Sequence, residues 1–251
     1  MRLSVIVITR NEQANIVDCL RSVDFADEII VVDNASSDDT VELARHAGAH
    51  VHQTQDWPGF GPQKNRALAF ATGDWVLSMD ADERVTPELR KEILEVISSE
   101  KAPDCFSIPR LSWFCGRFVR HSGWRPDYVD RLFKAGTAQF SPDLVHEKLL
   151  HAGRARVLEN SLLHYSHRNF SDVLTKIDRY STASAQQALA RGKRSSVLGA
   201  VGHGFWAFVR TYVFKAGFLD GEHGLALAIA NAEGSYYRHI KLWRLQQPDG
   251  K

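Results

Sequence analysis

Cysteine is scarce in this chain. Cys19, Cys105 and Cys115 are its three thiols, far apart, with no Cys-x-x-Cys and an odd total. That pattern argues against a disulfide framework and a cysteine-held zinc, and fits a reduced cytosolic setting. An excess of charge of one sign is also missing. Lys and Arg number 31 and Asp and Glu 30, a formal net charge of +1, so no general attraction draws the chain to nucleic acid. No apolar run approaches the ~20 residues of a membrane span. The first, Leu3 to Ile8, is cut by Arg10 and is too short for a secretion signal. Internal repeats, low-complexity tracts and long linkers are absent as well. The glycine signatures of nucleotide enzymes are incomplete. Gly59-Phe60-Gly61 follows Trp57-Pro58 rather than a first strand and lacks a third glycine, and there is no P-loop lysine motif. An NAD enzyme and a P-loop ATPase are therefore disfavoured.

What remains is a globular composition, 44% hydrophobic and 24% charged over 251 residues, enough for one large domain or a domain with an appendage. The first hundred residues alternate strand and helix. Leu3 to Ile8, Glu28 to Val32, a short stretch at Val51 and Trp75 to Met79 read as strands. Helices are expected from about Glu12, from Ser36-Ser37-Asp38 to His46, from Gln63 to Ala71, and from Thr86-Pro87-Glu88 to about Ser98. Near-continuous apolar strands between helices imply an α/β fold with a mainly parallel sheet covered on both faces. In such sheets ligands bind at the carboxyl ends of the strands, where Thr9, Asp33 and Asp80 all fall. From Asp104 to Ser166 the pattern changes to short strands (105–109, 128–133, 144–150, 162–165), and then to helices over about 171–190, 197–214 and 225–245. The expected division is 1–166, in two halves that meet at about 103–104, followed by a helical region, 167–251.

Two carboxylates one residue apart, Asp80-Ala81-Asp82, end the fourth strand. Such a pair can aim at a divalent cation carrying phosphates, or it can cap the next helix or sit in a solvated turn. Asp33 can accept from a base N–H, side chains near Thr9 can frame a nucleoside, and Asp82 can ligate Mg²⁺ or Mn²⁺ on a diphosphate. The plainer alternative has Asp33 and Ser36 only capping helices. A phosphotransferase with an Asp-x-Asp nucleophile would be expected to carry it on the first strand, not the fourth.

The run from Ser4 through Thr9-Arg10-Asn11-Glu12, then Val32-Asp33-Asn34-Ala35-Ser36-Ser37-Asp38, Lys64-Asn65-Arg66-Ala67 and Asp80-Ala81-Asp82 resembles the inverting family 2 glycosyltransferases of the GT-A fold. Several motifs in order are more specific than any one, and here they cover roughly the first 130 residues. The resemblance implies a nucleotide-sugar donor, a divalent metal (Mg²⁺ or Mn²⁺) and transfer with inversion. Donor contacts then fall to Thr9, Asn11, Glu12, Asp33, Lys64, Arg66, Asp80 and Arg131, and metal contacts to Asp82, Asp80 and His164. Lys64, Arg66 or Arg131 would neutralise diphosphate charge, the plain alternative for each being a surface salt bridge. For His164 it is a satisfied core histidine.

Inverting transfer also needs a base. Glu147 in Asp143-Leu144-Val145-His146-Glu147, beside His146, is the first candidate and Asp130 the reserve; a surface glutamate is the alternative for Glu147. Trp113, His121 and Trp124, in an aromatic, loop-rich stretch, suit an acceptor sugar, or packing under a lid. The aromatic, cation-interrupted segment 205–215, preceded by Arg191, Lys193 and Arg194, suits a helix on an anionic membrane, or one packed on the transferase domain. Segment 215–225, with Val145-His146-Glu147 and His164-Tyr165-Ser166, is similar to bacterial lipopolysaccharide-core enzymes, more narrowly a heptose-directed β-1,4-glucosyltransferase type. That similarity implies UDP-glucose as donor, a lipid A–core acceptor, and a cytoplasmic enzyme peripheral at the inner face of the inner membrane. A non-catalytic nucleotide-sugar-binding scaffold and a family 2 transferase with another acceptor are the alternatives.

Overall fold

The computed structural model describes residues 1–142 and 147–247. The chain forms two compact units: Met1–Arg110 with Asp127–His164, and Leu111–Pro126 with Tyr165–Lys251. The expected division kept 111–126 with the sheet, whereas that segment belongs to the helical unit.

The first unit alternates β1 (Leu3–Thr9), α1 (Ile16–Arg21), β2 (Glu28–Asn34), α2 (Thr40–His46), β3 (His50–Thr54), α3 (Phe60–Ala69), β4 (Trp75–Asp80), β5 (Glu83–Arg84) and α4 (Pro87–Ile97). Then come β6 (Cys105–Phe114), β7 (Arg117–Phe118), β8 (Tyr128–Lys134), β9 (Ala138–Phe140), β10 (Leu149–His151), β11 (Arg156–Val157) and β12 (Leu162–His167). β7 lies in the second unit, and β6 and β12 contribute residues to both. The large sheet runs β3-β2-β1-β4-β8-β6-β12-β5, and β9 pairs with β10 separately. β1 to β4 are parallel, while β8 joins β4 antiparallel. A mainly parallel sheet with helices on both faces is thus the observed architecture.

Burial on both faces explains why these strands read as unbroken apolar runs. On one face Val5, Val7, Leu77 and Met79 pack with Ile16 and Leu20 of α1, Ala44 of α2 and Leu89 of α4. On the other, Ile6, Ile30 and Val76 pack with Ala67 of α3. Helix α4 shows the local logic. The Thr86 hydroxyl accepts from the Leu89 N–H at 3.1 Å and Pro87 takes the first turn, where its missing N–H costs nothing. Leu89, Ile93 and Ile97 then form one buried stripe, each contributing about 1.5–3 kcal/mol.

The helix expected from Glu12 begins only at Ile16. Residues 11–13 are held instead by the β2–α2 loop. Asn11 sits at φ 56°, its N–H bonds Ser36 Oγ at 2.8 Å, and its side-chain oxygen accepts from Ser37 N at 2.8 Å.

The second unit contains α5 (Phe170–Ala190), α6 (Val197–Val209), a π-helical turn (Arg210–Phe214), a 3₁₀ turn (Gly217–Asp220) and α7 (Gly221–Leu245). The helix expected across 197–214 therefore changes character at Arg210, and the last one starts four residues before Leu225. Gly224 permits the close turn, since a Cβ there would lie 1.8 Å from the Gly217 carbonyl oxygen. Asp220 is buried and accepts from Arg120 N, His121 N and Ser122 Oγ, each at 3.0 Å, which fixes the 120–122 loop.

Candidate active site

Strand register brings the expected polar ends together. Thr9 lies opposite Asp33, and Ile8 opposite Asp80. Asp33 is completely buried; its carboxylate accepts from Thr9 Oγ1 at 3.0 Å, from Ser36 N at 2.9 Å and from the Ser36 hydroxyl. Both carboxylate oxygens therefore already hold the β2–α2 loop. Glu12 contributes to the same scaffold, its N–H bonding Thr40 Oγ1 at 2.7 Å.

The centre of the unit is a charge network. Lys64 on α3 is 4% exposed, and its Nζ lies 3.0 Å from Asp80 Oδ1 and 2.7 Å from Glu147 Oε1. Glu147 Oε2 has no hydrogen-bond partner among the described residues. Arg131, 3% exposed, binds Asp80 Oδ2 at 2.5 Å and Glu83 Oε1 at 2.8 Å. Glu83 in turn accepts from the Asp80 N–H at 2.9 Å and lies 3.5 Å from Arg110.

Burial pushes Asp80 up, but the Arg131 and Lys64 charges outweigh it and hold its carboxyl well below the usual range. For Glu83 burial wins, helped by the charge of Asp80, and its carboxyl is raised. Burial would lower Arg131; Asp80 and Glu83 reverse this and raise it. With both oxygens of Asp80 given to cations, Asp82 is the carboxylate better placed for a metal.

Two local devices build this network. In the β6–β8 ladder Phe106 faces Leu132 but Ser107 faces Asp130, so Arg131 is an extra, bulged residue. Bulges re-aim side chains beside functional sites, and this one delivers Arg131 to Asp80 and Glu83. Gly61 on α3 admits the segment carrying Glu147, because a Cβ there would sit 1.8 Å from Ser141 O and 3.4 Å from Glu147 Cβ.

β5, which sequence patterning missed, pairs antiparallel with β12 and sets His164 opposite Glu83. His164 Nε2 consequently lies 3.4 Å from Asp82 Oδ2, both side chains partly exposed. Adjacent ligands on a cation with bonds of about 2.1–2.3 Å stand about 3.0–3.3 Å apart, so this pair fits a divalent ion with little adjustment. Arg131 Nε is also a buried donor without a partner among the described residues.

Other expected residues lie elsewhere. Arg66 forks onto Asp56 at 2.9 and 2.6 Å rather than joining Asp80. Asp130 bonds the Ser107 hydroxyl and lies 3.3 Å from His151 Nε2. Cys105, Asp130 and His151 form a possible ligand trio, but burial pushes the Cys105 thiol up to about 12, which disfavours the thiolate a metal needs. His146, and the 144–146 part of the expected strand, fall outside the described residues. In the second unit, Trp113 packs on Phe118 and Tyr165, and Trp124 on Phe114 and His167, so ring packing occupies much of both. His121 Nδ1 lies 3.2 Å from Asp220.

Against known proteins, residues 4–190 match the model of glycosyl transferase family 2. The chain belongs to that family. This family 2 glycosyltransferase is 29% identical over 253 residues to an uncharacterised glycosyltransferase of Rickettsia prowazekii (strain Madrid E), covering 96% of this chain and 86% of the relative. It is 28% identical over 257 residues to the lipopolysaccharide core biosynthesis glycosyltransferase LpsC of Rhizobium meliloti (strain 1021), covering 94% and 93% of the two chains. Among solved structures, S. aureus TarS 1-349 in complex with UDP-GlcNAc matches with a TM-score of 0.53 at 17% identity, covering 100% of this chain and 93% of that one. The last likeness bears on the GT-A fold alone.

Proposed function

We propose that this family 2 enzyme transfers a hexose, with inversion, from a UDP-sugar to a saccharide of the lipopolysaccharide core, and more narrowly glucose from UDP-glucose to a core heptose. The observation that carries the reading is Lys64 bridging Asp80, at a strand end, to Glu147. Support for the acceptor class comes from LpsC, whose printed name assigns it to lipopolysaccharide core biosynthesis. TarS, in complex with UDP-GlcNAc, shares the fold.

In this mechanism Glu147 takes the proton of the acceptor hydroxyl through Oε2, the oxygen that does not accept from Lys64. The hydroxyl oxygen attacks the anomeric carbon, the bond from that carbon to the diphosphate breaks, and UDP leaves with the electron pair. Asp82 and His164 would hold Mg²⁺ or Mn²⁺, which supplies positive charge to the departing diphosphate. Lys64 orients Glu147 and, with Arg131, gives the site fixed positive charge, so that little reorganisation accompanies the reaction. Thr9, Asn11, Glu12 and Asp33 shape the nucleoside end; Asp33 receives a base N–H if the Ser36 hydroxyl swings away. Asp130 is the reserve base. Trp113, His121 and Trp124 are assigned to the acceptor.

No helix among the described residues is long and apolar enough to cross a membrane. Leu198, Phe205 and Phe214 are nonetheless exposed, which supports peripheral attachment at the inner face of the inner membrane. The test is UDP release from several nucleotide sugars, with Mg²⁺ or Mn²⁺ and with or without heptose-bearing core acceptors. UDP-glucose with a heptose acceptor should release UDP fastest, and chelation should stop it. Release unaffected by chelation contradicts the metal role, and a preference for another donor or acceptor moves the substrate within the family.

A further inference from the structure

Helix α6 has three faces, and only one is covered by packing within its own unit. Ala200, Gly204 and Ala207 are small and face α7, a Cβ on Gly204 lying 3.2 Å from both Ala232 O and Tyr236 Cβ. Gly199, His203, Trp206 and Arg210 form a second face, lining a groove of about 730 Å³. Leu198, Val201 and Phe205 make the third. They are 84%, 54% and 69% exposed, at the spacing of one helical stripe. Trp206, itself largely exposed, stands at the rim between groove and apolar stripe.

The groove is cationic. Lys193, Arg194, Arg210 and Arg238 line it together with His203 and His239, and no carboxylate does among the described residues. Four like charges around one cavity repel each other, and none of these four has a salt bridge among the described residues. Ser196 caps α6 here, its hydroxyl accepting from Gly199 N at 3.0 Å, which directs the positive end of the helix to the same place. The His203 and His239 rings stack at 3.8 Å, 10° from parallel. The Ser235 carbonyl lies 2.9 Å from His239 Nδ1, which assigns the proton there and leaves Nε2 for another partner. Burial, with the His203 and Arg238 charges, pushes His239 down; an arriving anion would oppose that. At Arg210 the helix widens into the π turn, a distortion often retained for function.

We propose that this groove binds the phosphate of an anionic lipid while the Leu198–Val201–Phe205 stripe of α6 lies in the bilayer surface. The two features are contiguous on one helix: the stripe supplies apolar contact, and the groove supplies charge complementary to a headgroup. A dianionic or monoanionic phosphate would be met by guanidinium forks, the geometry best suited to its oxygens. This is a binding site additional to the transferase centre and independent of the sugar transferred.

Flotation of the full chain with phosphatidylcholine vesicles, with and without phosphatidylglycerol, tests it. Arg194→Ala/Arg238→Ala should lose at least about tenfold more affinity for anionic vesicles than Arg179→Ala/Arg191→Ala, a pair in the same unit outside the groove, because both remove equal general charge and only the first removes the guanidinium contacts to phosphate. Phe205→Ser should weaken binding to both vesicle types. Inorganic phosphate should shift the His239 imidazole NMR signals in the wild-type chain and not in the groove double variant. Equal losses in the two double variants would overturn the proposal. So would phosphate-induced shifts of His239 in a protein whose vesicle binding ignores Arg194 and Arg238, because the groove would then take free phosphate and not lipid.

Discussion

The two units treat charge in opposite ways. In the sheet unit Lys64 and Arg131 are almost fully buried, and each is held between two carboxylates. In the helical unit Arg194, Arg210 and Arg238 line an open groove with no carboxylate among the described residues. Buried ions must be paired or their desolvation is uncompensated, whereas surface cations tolerate solitude in water. A paired, rigid network suits chemistry that needs fixed geometry, and an unmatched cluster suits capture of an anion from outside.

Breaking the buried network should have the largest effect. Arg131→Met leaves Asp80 and Glu83 without their shared cation, and should cost about 3–5 kcal/mol in urea unfolding. A loss under 1 kcal/mol, the usual value for surface pairs, would mean the network is solvated and the contrast between units false. Asp82→Ala should leave stability nearly unchanged but lower UDP release about a hundredfold or more, with a higher Mn²⁺ requirement. Gly61→Ala should push on the Ser141 carbonyl, cost about 1–3 kcal/mol and slow turnover by displacing Glu147. The groove double variant, at about tenfold in vesicle binding, comes next.

The smallest effect concerns Asp220. Burial raises its carboxyl, but donors from Arg120, His121 and Ser122 prevail and hold it below the ordinary value. A depressed folded-state value gives stability that is full above the unfolded value of about 3.9 and is lost as pH falls through the folded one. Asp220→Asn should flatten the pH dependence of stability below about pH 4. An unchanged acid limb would show that the 120–122 loop does not use the charge.

Most of the sheet unit was legible because its strands are buried on both faces and end in polar residues that sequence alone can locate. Thr9, Asp33 and Asp80 fall together because parallel strands starting in register stop in register. The partners of those residues were harder to read. Asp82 and His164 meet through β5, two residues long and too short to show periodicity. The bulge at Arg131 leaves no mark in an alternating pattern. Arg66, two residues after Lys64 on α3, faces Asp56 because residues two apart on a helix point about 160° apart. Glu83 carries one signal, its place in the charge run Asp82-Glu83-Arg84 just past an apolar strand, whereas Arg110 lies in a separate strand with none. In the helical unit the aromatic and basic residues were visible. Their sorting onto separate faces of α6 depends on which side packs on α7, and composition does not reveal that.

The sheet unit's charge network is held to be a catalytic centre in which Glu147 is the base. Glu147→Gln, measured for UDP affinity in Mn²⁺ and for acceptor-dependent UDP release in the same preparation, tests this most directly. The amide keeps the shape and can still accept from Lys64, so affinity should stay within about twofold while release falls by about 10²–10⁴. Release at the wild-type rate with affinity intact would contradict the assignment and pass the role to Asp130.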